Sequence, residues 1–103
     1  MNDMEALHQL LGGYLNEDWY LEYGEPWVAV EAFAREEPAY ASFLRADIDL
    51  AVAEAASDQE LERRLDKFGL GYAATTAGWG TYGAWLLAVA DRVDQLLHTS
   101  PAA

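Results

Sequence analysis

The sequence contains no cysteine, two histidines and only six basic residues among 103 positions. Without thiols, the chain has no disulfide, no thiolate zinc site and no cysteine nucleophile. No apolar run reaches the roughly 18 residues that a membrane-spanning helix requires. The first residues also lack the basic and hydrophobic segments of a secretory signal. These absences predict a cytoplasmic protein that does not enter a membrane.

Basic residues are outnumbered by 18 acidic ones, which gives a formal net charge of −12. The first 62 residues hold fifteen of the acids but only two bases, Arg35 and Arg45. Binding to nucleic-acid phosphates or anionic lipids is therefore opposed electrostatically. A basic protein is the favoured partner, although a net charge that merely keeps the protein soluble would give the same composition.

Hydrophobic residues make up 52% of the chain and aromatic residues 13%, which favours a folded globule over disorder. The length predicts one domain over residues 1–103, with residues 99–103 as a frayed tail. It also leaves the oligomeric state open between a monomer and a weak homodimer.

Apolar residues at three- and four-residue spacing predict about five helices. Asp3 is the expected N-cap of the first, Pro26 and Pro38 stand where a first helical turn tolerates proline, and Ser57 with Glu60 has capping-box spacing. The predicted helices run from Asp3 to the Gly12-Gly13 pair and over residues 26–37, 38–56, 57–69 and 82–98. The apolar face expected for the third helix is Tyr40, Leu44, Ile48, Val52 and Ala55. Thr81 is the expected cap of the last helix, whose expected apolar face is Tyr82, Trp85, Leu86, Val89, Val93, Leu96 and Leu97. Five glycines over residues 69–83 predict a loop, with an extended piece at residues 72–75. The expected fold is an all-α bundle of about five helices with a Gly-rich loop before the last helix.

Residues 14–27 combine five aromatic residues with four carboxylates and no base. Aromatic side chains carry much of the binding energy of protein interfaces, so the segment predicts a contact surface. We expect Tyr14, Trp19 and Trp27 to face the helices, and Phe33, Trp85 and Leu86 to lie in the core. The predicted partner-binding residues are Glu17, Asp18, Tyr20, Glu22, Tyr23, Glu25, Glu31, Glu36 and Glu37. The alternative is an ordinary loop with core aromatics and solvated acids.

No combination of residues predicts a catalytic, cofactor or metal site. Gly78, Gly80 and Gly83 form a literal G-x-G-x-x-G, but too few residues follow for a dinucleotide-binding unit. The structural interpretation is an approach to the last helix, with Trp79 covering the core. His8 and His98 lie near opposite ends of the chain, and the acids of residues 17–25 lack the spacing of an EF-hand. An enzyme is therefore not expected.

Several of these residues match a known family in order and spacing over about residues 10–97. They are Tyr14-Leu15-Asn16-Glu17-Asp18-Trp19, then Gly24-Glu25-Pro26, Phe33 and Trp85-Leu86. In these residues the chain resembles the immunity proteins of bacterial contact-dependent growth inhibition systems, the CdiI type. The resemblance implies a protein that stays in the cytoplasm of the producing cell and neutralises the C-terminal toxin domain of a growth-inhibition effector.

Many toxins of these systems are nucleases, and the resemblance therefore implies a partner with a basic active site. The acidic sequence agrees with this expectation, since opposite charges steer two proteins together. An acidic regulator or nucleic-acid mimic that binds another basic protein is the alternative function. A structural adaptor that pairs with itself through its aromatic residues would appear as a concentration-dependent dimer.

Overall fold

The computed structural model describes residues 4–98, and within that range the chain forms seven helices and no strand. The five longer helices are α1 (Glu5–Gly13), α3 (Pro26–Glu36), α5 (Leu44–Glu54), α6 (Asp58–Lys67) and α7 (Tyr82–His98). Two single turns, α2 (Trp19–Glu22) and α4 (Pro38–Ala41), lie between them. The all-α bundle of about five helices is thereby confirmed. The expected cap Asp3 and the tail at 99–103 lie outside the described residues.

Three predicted helix starts are present in the structure. Pro26 and Pro38 each occupy the first turn of a helix, where a missing backbone N–H costs no hydrogen bond. At α6, Ser57 Oγ accepts a hydrogen bond of 3.1 Å from Glu60 N. The Glu60 carboxylate accepts one of 3.3 Å from Ala56 N. The Ser57 half of the predicted capping box is therefore formed, whereas Glu60 bonds to the amide of the residue before the N-cap.

The prediction of one helix over residues 38–56 is wrong, because the chain breaks between α4 and α5. Ser42 Oγ donates to the Ala39 carbonyl at 2.8 Å, and Phe43 N donates to the Tyr40 carbonyl at 2.9 Å. These three-residue bonds replace the four-residue pattern that would continue α4. The break leaves Phe43 64% exposed.

The apolar stripe predicted for that helix is only partly buried. Leu44 and Ile48 are fully buried, whereas Val52 and Ala55 are half-buried and Tyr40 is exposed. A continuous helix would have kept all five residues on one face. The break between α4 and α5 therefore rotates Tyr40 away from the residues that follow it.

Helix α7 supplies the largest buried face and packs against α3, α5 and α6. Its predicted apolar residues include five that are buried: Tyr82, Trp85, Leu86, Val89 and Val93. Leu96 and Leu97 are partly buried against the same core. Phe33 of α3 is fully buried, as expected, and Leu7, Leu10 and Leu11 extend the core from α1.

The Gly-rich segment between α6 and α7 crosses the bundle as a loop. Residues 71–73 have no regular structure and residues 74–78 form turns, so the extended piece expected at residues 72–75 is not formed. The turn is closed by Ala77 N, which donates to the Ala73 carbonyl at 3.0 Å. Leu70 and Ala74 are buried and attach the loop to the core.

Candidate partner-binding surface

The segment before α2 is held by a backbone crossing with the Gly-rich loop. Gly71 N donates to the Leu15 carbonyl at 2.7 Å, and Trp19 Nε1 donates to the Gly71 carbonyl at 3.0 Å. A Cβ atom on Gly71 would lie only 2.5 Å from the Asn16 carbonyl oxygen. Only glycine allows the two backbones to approach this closely. This backbone crossing therefore determines the position of the acidic residues Glu17 and Asp18.

A series of aromatic rings extends from this crossing over the bundle. The Tyr72 ring lies 5.8 Å from the Trp19 ring and 5.0 Å from the buried Trp85 ring. Trp79 Nε1 donates to the Tyr72 hydroxyl at 3.1 Å, and the Trp79 ring meets the Trp27 ring at 6.1 Å. Trp19, Trp27 and Trp79 are all half-buried against the core. The expectations that Trp19 and Trp27 anchor the segment and that Trp79 covers the core are confirmed.

Tyr14 connects the segment to the end of α3. Its ring is 7% exposed and meets Phe33 edge-on at 5.6 Å. The Tyr14 hydroxyl lies 2.9 Å from Glu36 Oε1 and 3.2 Å from Glu37 Oε2, so two carboxylates compete for its single proton. The pKa of Tyr14 is raised above its ordinary value. Burial is the main cause, followed by the hydrogen bond to Glu36 and the charges of both carboxylates.

Tyr23 belongs to the same cluster although it was expected to face outward. Its ring is half-buried and stacks 6.1 Å from the Tyr14 ring. Burial raises the pKa of Tyr23, and the charges of Glu22 and Glu36 add to the effect. Tyr23 thus lies between the acids of α2 and those of α3 and remains partly exposed.

The other predicted residues of the segment are exposed. Glu17, Asp18, Glu22 and Glu25 all face solvent, and Tyr20 is 57% exposed. Leu21, which sequence reasoning missed, is 72% exposed, the highest value among the large hydrophobic residues of the described chain. Its signal in the sequence is an apolar residue beside Tyr20 in an otherwise acidic stretch. Single turn α2 presents both side chains.

The predicted acids of α3 and its C-terminal end divide into two groups. Glu36 and Glu37 lie at the Tyr14 hydroxyl, and Glu37 also accepts a hydrogen bond of 3.0 Å from Gln9 Nε2. Glu31 lies apart from them, against α7, where it forms an ion pair with Arg92. The structure therefore brings Glu22, Tyr23, Glu36 and Glu37 together and places Glu31 elsewhere.

Besides Arg92, two bases of the described chain pair with acids away from this surface. Arg45 pairs with Asp91 and Asp94, and Arg64 pairs with Glu54. Six of the predicted acids have no ion pair with a base within residues 4–98: Glu17, Asp18, Glu22, Glu25, Glu36 and Glu37. We call these six residues, with Tyr20, Leu21 and Tyr23, the acidic surface. Its negative charge is available to an external cation or basic protein.

The G-x-G-x-x-G segment leads into α7, but the place a phosphate would take is filled. The Asp58 carboxylate accepts hydrogen bonds from Tyr82 N at 2.9 Å and from Gly83 N at 3.0 Å. Thr81 Oγ1 accepts one from Ala84 N at 3.0 Å and so caps the helix as expected. A carboxylate of the chain itself therefore occupies the N-terminus that attracts anions in dinucleotide-binding units.

The two histidines stand on the surface, far from one another in the chain. His8 is exposed and stacks on the Phe68 ring at 5.0 Å, and His98 is exposed at the end of α7. Within the part of the chain that the structure describes, no three potential ligands among histidine and carboxylate residues converge on a metal position.

A family model described as CdiI immunity protein matches residues 3–93. The chain belongs to this family. As a CdiI immunity protein it neutralises a toxin, and its partner is a cognate toxin protein. Members of the family are generally not enzymes. Neither the curated proteins nor the solved structures that were compared with the chain gave a match.

The match spans the segments that build the acidic surface, from α1 through most of α7. Of the helices between residues 4 and 98, none combines the length and apolar character needed to cross a bilayer.

Proposed function

We propose that this immunity protein acts in the cytoplasm of the producing cell. There it binds the C-terminal toxin domain of a contact-dependent growth inhibition effector, and the toxin is a nuclease with a basic active site. The observation that carries the proposal is the acidic surface, where six carboxylates without a basic partner surround exposed aromatic and aliphatic side chains. An enzyme that binds nucleic acid needs a basic cleft, which is the electrostatic complement of this surface.

The apolar and charged residues of the surface serve different steps of binding. Unpaired carboxylates accelerate encounter with a basic protein and make it sensitive to salt. Tyr20 and Leu21, which are already exposed before binding, bury apolar area in the complex and slow dissociation. Of the predicted acids, Glu31 contributes least to the attraction of a basic protein, because Arg92 already neutralises its charge.

The test is association with the toxin domain encoded beside the gene of this chain. One variant carries Glu17→Gln, Asp18→Asn, Glu22→Gln and Glu25→Gln, and its control carries Asp49→Asn, Glu54→Gln, Glu62→Gln and Asp66→Asn. Both variants remove four negative charges. The control also breaks the ion pair of Glu54 with Arg64, so a thermal melt first checks that each variant remains folded. We expect the first variant to associate about tenfold more slowly at low ionic strength, and the control to stay close to wild type.

Measuring the association rate at several salt concentrations distinguishes electrostatic steering from non-specific binding. Between about 0.01 M and 1 M salt the screening length falls from about 30 Å to about 3 Å, which should slow the wild-type association and flatten the difference between the variants. An association rate indifferent both to salt and to the first four substitutions would contradict the proposal.

A further inference from the structure

A cleft of about 190 Å³ opens between α1 and the break that separates α4 from α5. It is lined by Glu5, Ala6, Ala39, Tyr40, Phe43 and Asp47. Small-molecule sites usually measure roughly 300–1,000 Å³, so this cleft has room for about one side chain. None of its residues belongs to the acidic surface.

The cleft is lined by a largely buried carboxylate. Asp47 is 9% exposed, and its Oδ2 accepts a hydrogen bond of 3.1 Å from Leu7 N in the first turn of α1. Within residues 4–98 no base forms an ion pair with Asp47. A carboxylate with little access to water gains from an opposite charge that hydrogen-bonds to it. A cation in the cleft would supply that charge.

The walls of the cleft suit a planar cation. Phe43 and Tyr40 present aromatic rings that are 64% and 36% exposed. Glu5, an exposed residue in the first turn of α1, places a second carboxylate at the cleft. Aromatic rings attract cations through their π faces, and a guanidinium also stacks on the ring while it bonds to carboxylates.

We propose that the cleft receives an arginine side chain of the basic partner protein. The guanidinium would bond to Asp47 and Glu5 and stack against Phe43 or Tyr40. Arginine fits better than lysine because its flat head can both stack and bond to carboxylate pairs, whereas the ammonium is a compact point charge. The inference rests on the proposed function only for the identity of the protein that supplies the arginine.

The cleft is continuous with the acidic surface. A neighbouring groove of about 440 Å³ shares Glu5 and Tyr40 with it and runs along α1 past Gln9. Gln9 donates to Glu37, which lies at the Tyr14 hydroxyl. A partner seated on the acidic surface could therefore extend one arginine into the cleft along this groove.

The binding chemistry is tested first with a probe that needs no toxin. N-acetyl-arginine methylamide is titrated into the full chain while backbone amide resonances are followed by NMR. We expect saturable shifts around Phe43, Asp47 and Glu5, weaker shifts with the matching lysine derivative, and none with the uncharged norleucine derivative. Shifts that are absent, that are scattered over the whole acidic sequence, or that are equal for norleucine would overturn the proposal.

Two matched variants test the aromatic wall. Phe43→Ala removes a ring that is largely exposed, so the fold should survive, and it should weaken binding of the arginine probe about two- to fivefold. Leu50→Ala is the control, because Leu50 is 48% exposed on α5, the helix that follows Phe43, but does not line the cleft. Equal binding by the two variants would refute the role of Phe43.

The toxin then separates this inference from the proposed function. If the wild-type chain binds the toxin domain and Phe43→Ala weakens that binding several-fold more than Leu50→Ala does, the cleft is part of the interface. If the toxin binds all three proteins equally, the cleft inference fails and the proposed function stands. If no binding to the toxin occurs, the proposed function fails, and the arginine probe alone decides whether the cleft accepts a guanidinium.

Discussion

The backbone amide of Gly71 donates a 2.7 Å hydrogen bond to the carbonyl oxygen of Leu15, and this contact joins two segments that are distant in the sequence. At the same point a Cβ on residue 71 would lie 2.6 Å from Glu17 Cα. The obstructing atoms belong to the backbone, so a side-chain rotation cannot relieve the contact. The position of the acidic surface thus depends on a glycine outside it.

We expect Gly71→Ala to lower the free energy of unfolding by about 1–3 kcal/mol, because the added methyl group forces the two backbones apart. Chemical denaturation measures the loss. Gly83→Ala is the control, since the nearest atom to its Cβ would be 3.7 Å away and alanine is favoured over glycine in a helix. Equal stability of the two variants would show that the backbones at residues 16–17 and 71 can move apart with little loss of stability.

Tyr14→Phe should change how stability depends on alkaline pH. Burial and the neighbouring Glu36 and Glu37 raise the pKa of Tyr14 above its ordinary 10.0, so the unfolded chain loses this proton before the folded chain does. The stabilisation of the folded state that comes from protonated Tyr14 is complete below pH 10 and is lost as pH rises above that value. Without the hydroxyl, the variant should lose stability less steeply above pH 10.

Below that pH the same variant should be less stable than wild type by about 1.5–3 kcal/mol, because a hydrogen bond to a charged group is removed. Urea denaturation at several pH values measures both effects. Some alkaline sensitivity remains, since burial also raises the pKa of Tyr23 and Tyr82. Tyr20→Phe is the control and should follow the wild-type curve, because the Tyr20 side chain is 57% exposed. A Tyr14→Phe curve parallel to wild type would contradict this account.

Asp58→Ala should destabilise the start of α7. The substitution leaves the amides of Tyr82 and Gly83 without their acceptor and removes a negative charge from a helix N-terminus, which together cost about 1–3 kcal/mol. Hydrogen exchange at residues 82–84 should accelerate more than exchange in the middle of the helix. Asp49→Ala, at an exposed position of α5, should leave both readouts near wild type. Unchanged exchange in Asp58→Ala would mean that Thr81 alone caps the helix.

Local sequence signals predicted those parts of the structure that local interactions determine. The side-chain cap at Ser57 and the apolar face of α7 depend on residues a few positions apart, and both were confirmed. The break at Ser42 was missed because a serine hydroxyl bonds to the backbone in helices and turns alike. The ion pair of Glu31 with Arg92 was missed because it joins residues 61 positions apart. The partner-binding role of the acidic surface stays a prediction.

Neighbouring residues Trp19 and Tyr20 separate the two roles of the segment that carries the acidic surface. Trp19 is half-buried, meets the Tyr72 ring edge-on and donates to the Gly71 carbonyl, whereas Tyr20 is 57% exposed. Trp19→Ala should therefore cost about 3 kcal/mol and lower Tm by more than about 10 °C. Trp19→Phe keeps the ring contact and loses only the hydrogen bond, about 1 kcal/mol.

Tyr20→Ala should weaken toxin binding and leave the stability of the fold nearly unchanged. Its unfolding free energy should stay within about 0.5 kcal/mol of wild type, because the side chain is already in solvent. Its dissociation from the toxin domain should be at least about tenfold faster. Truncating an aromatic side chain at the centre of an interface commonly costs about 2 kcal/mol or more of binding free energy. Thermal melts and dissociation rates on the same three variants decide the matter. A Trp19→Ala melt within a few degrees of wild type would place Trp19 on the contact side, and a Tyr20→Ala complex as durable as wild type would remove Tyr20 from it.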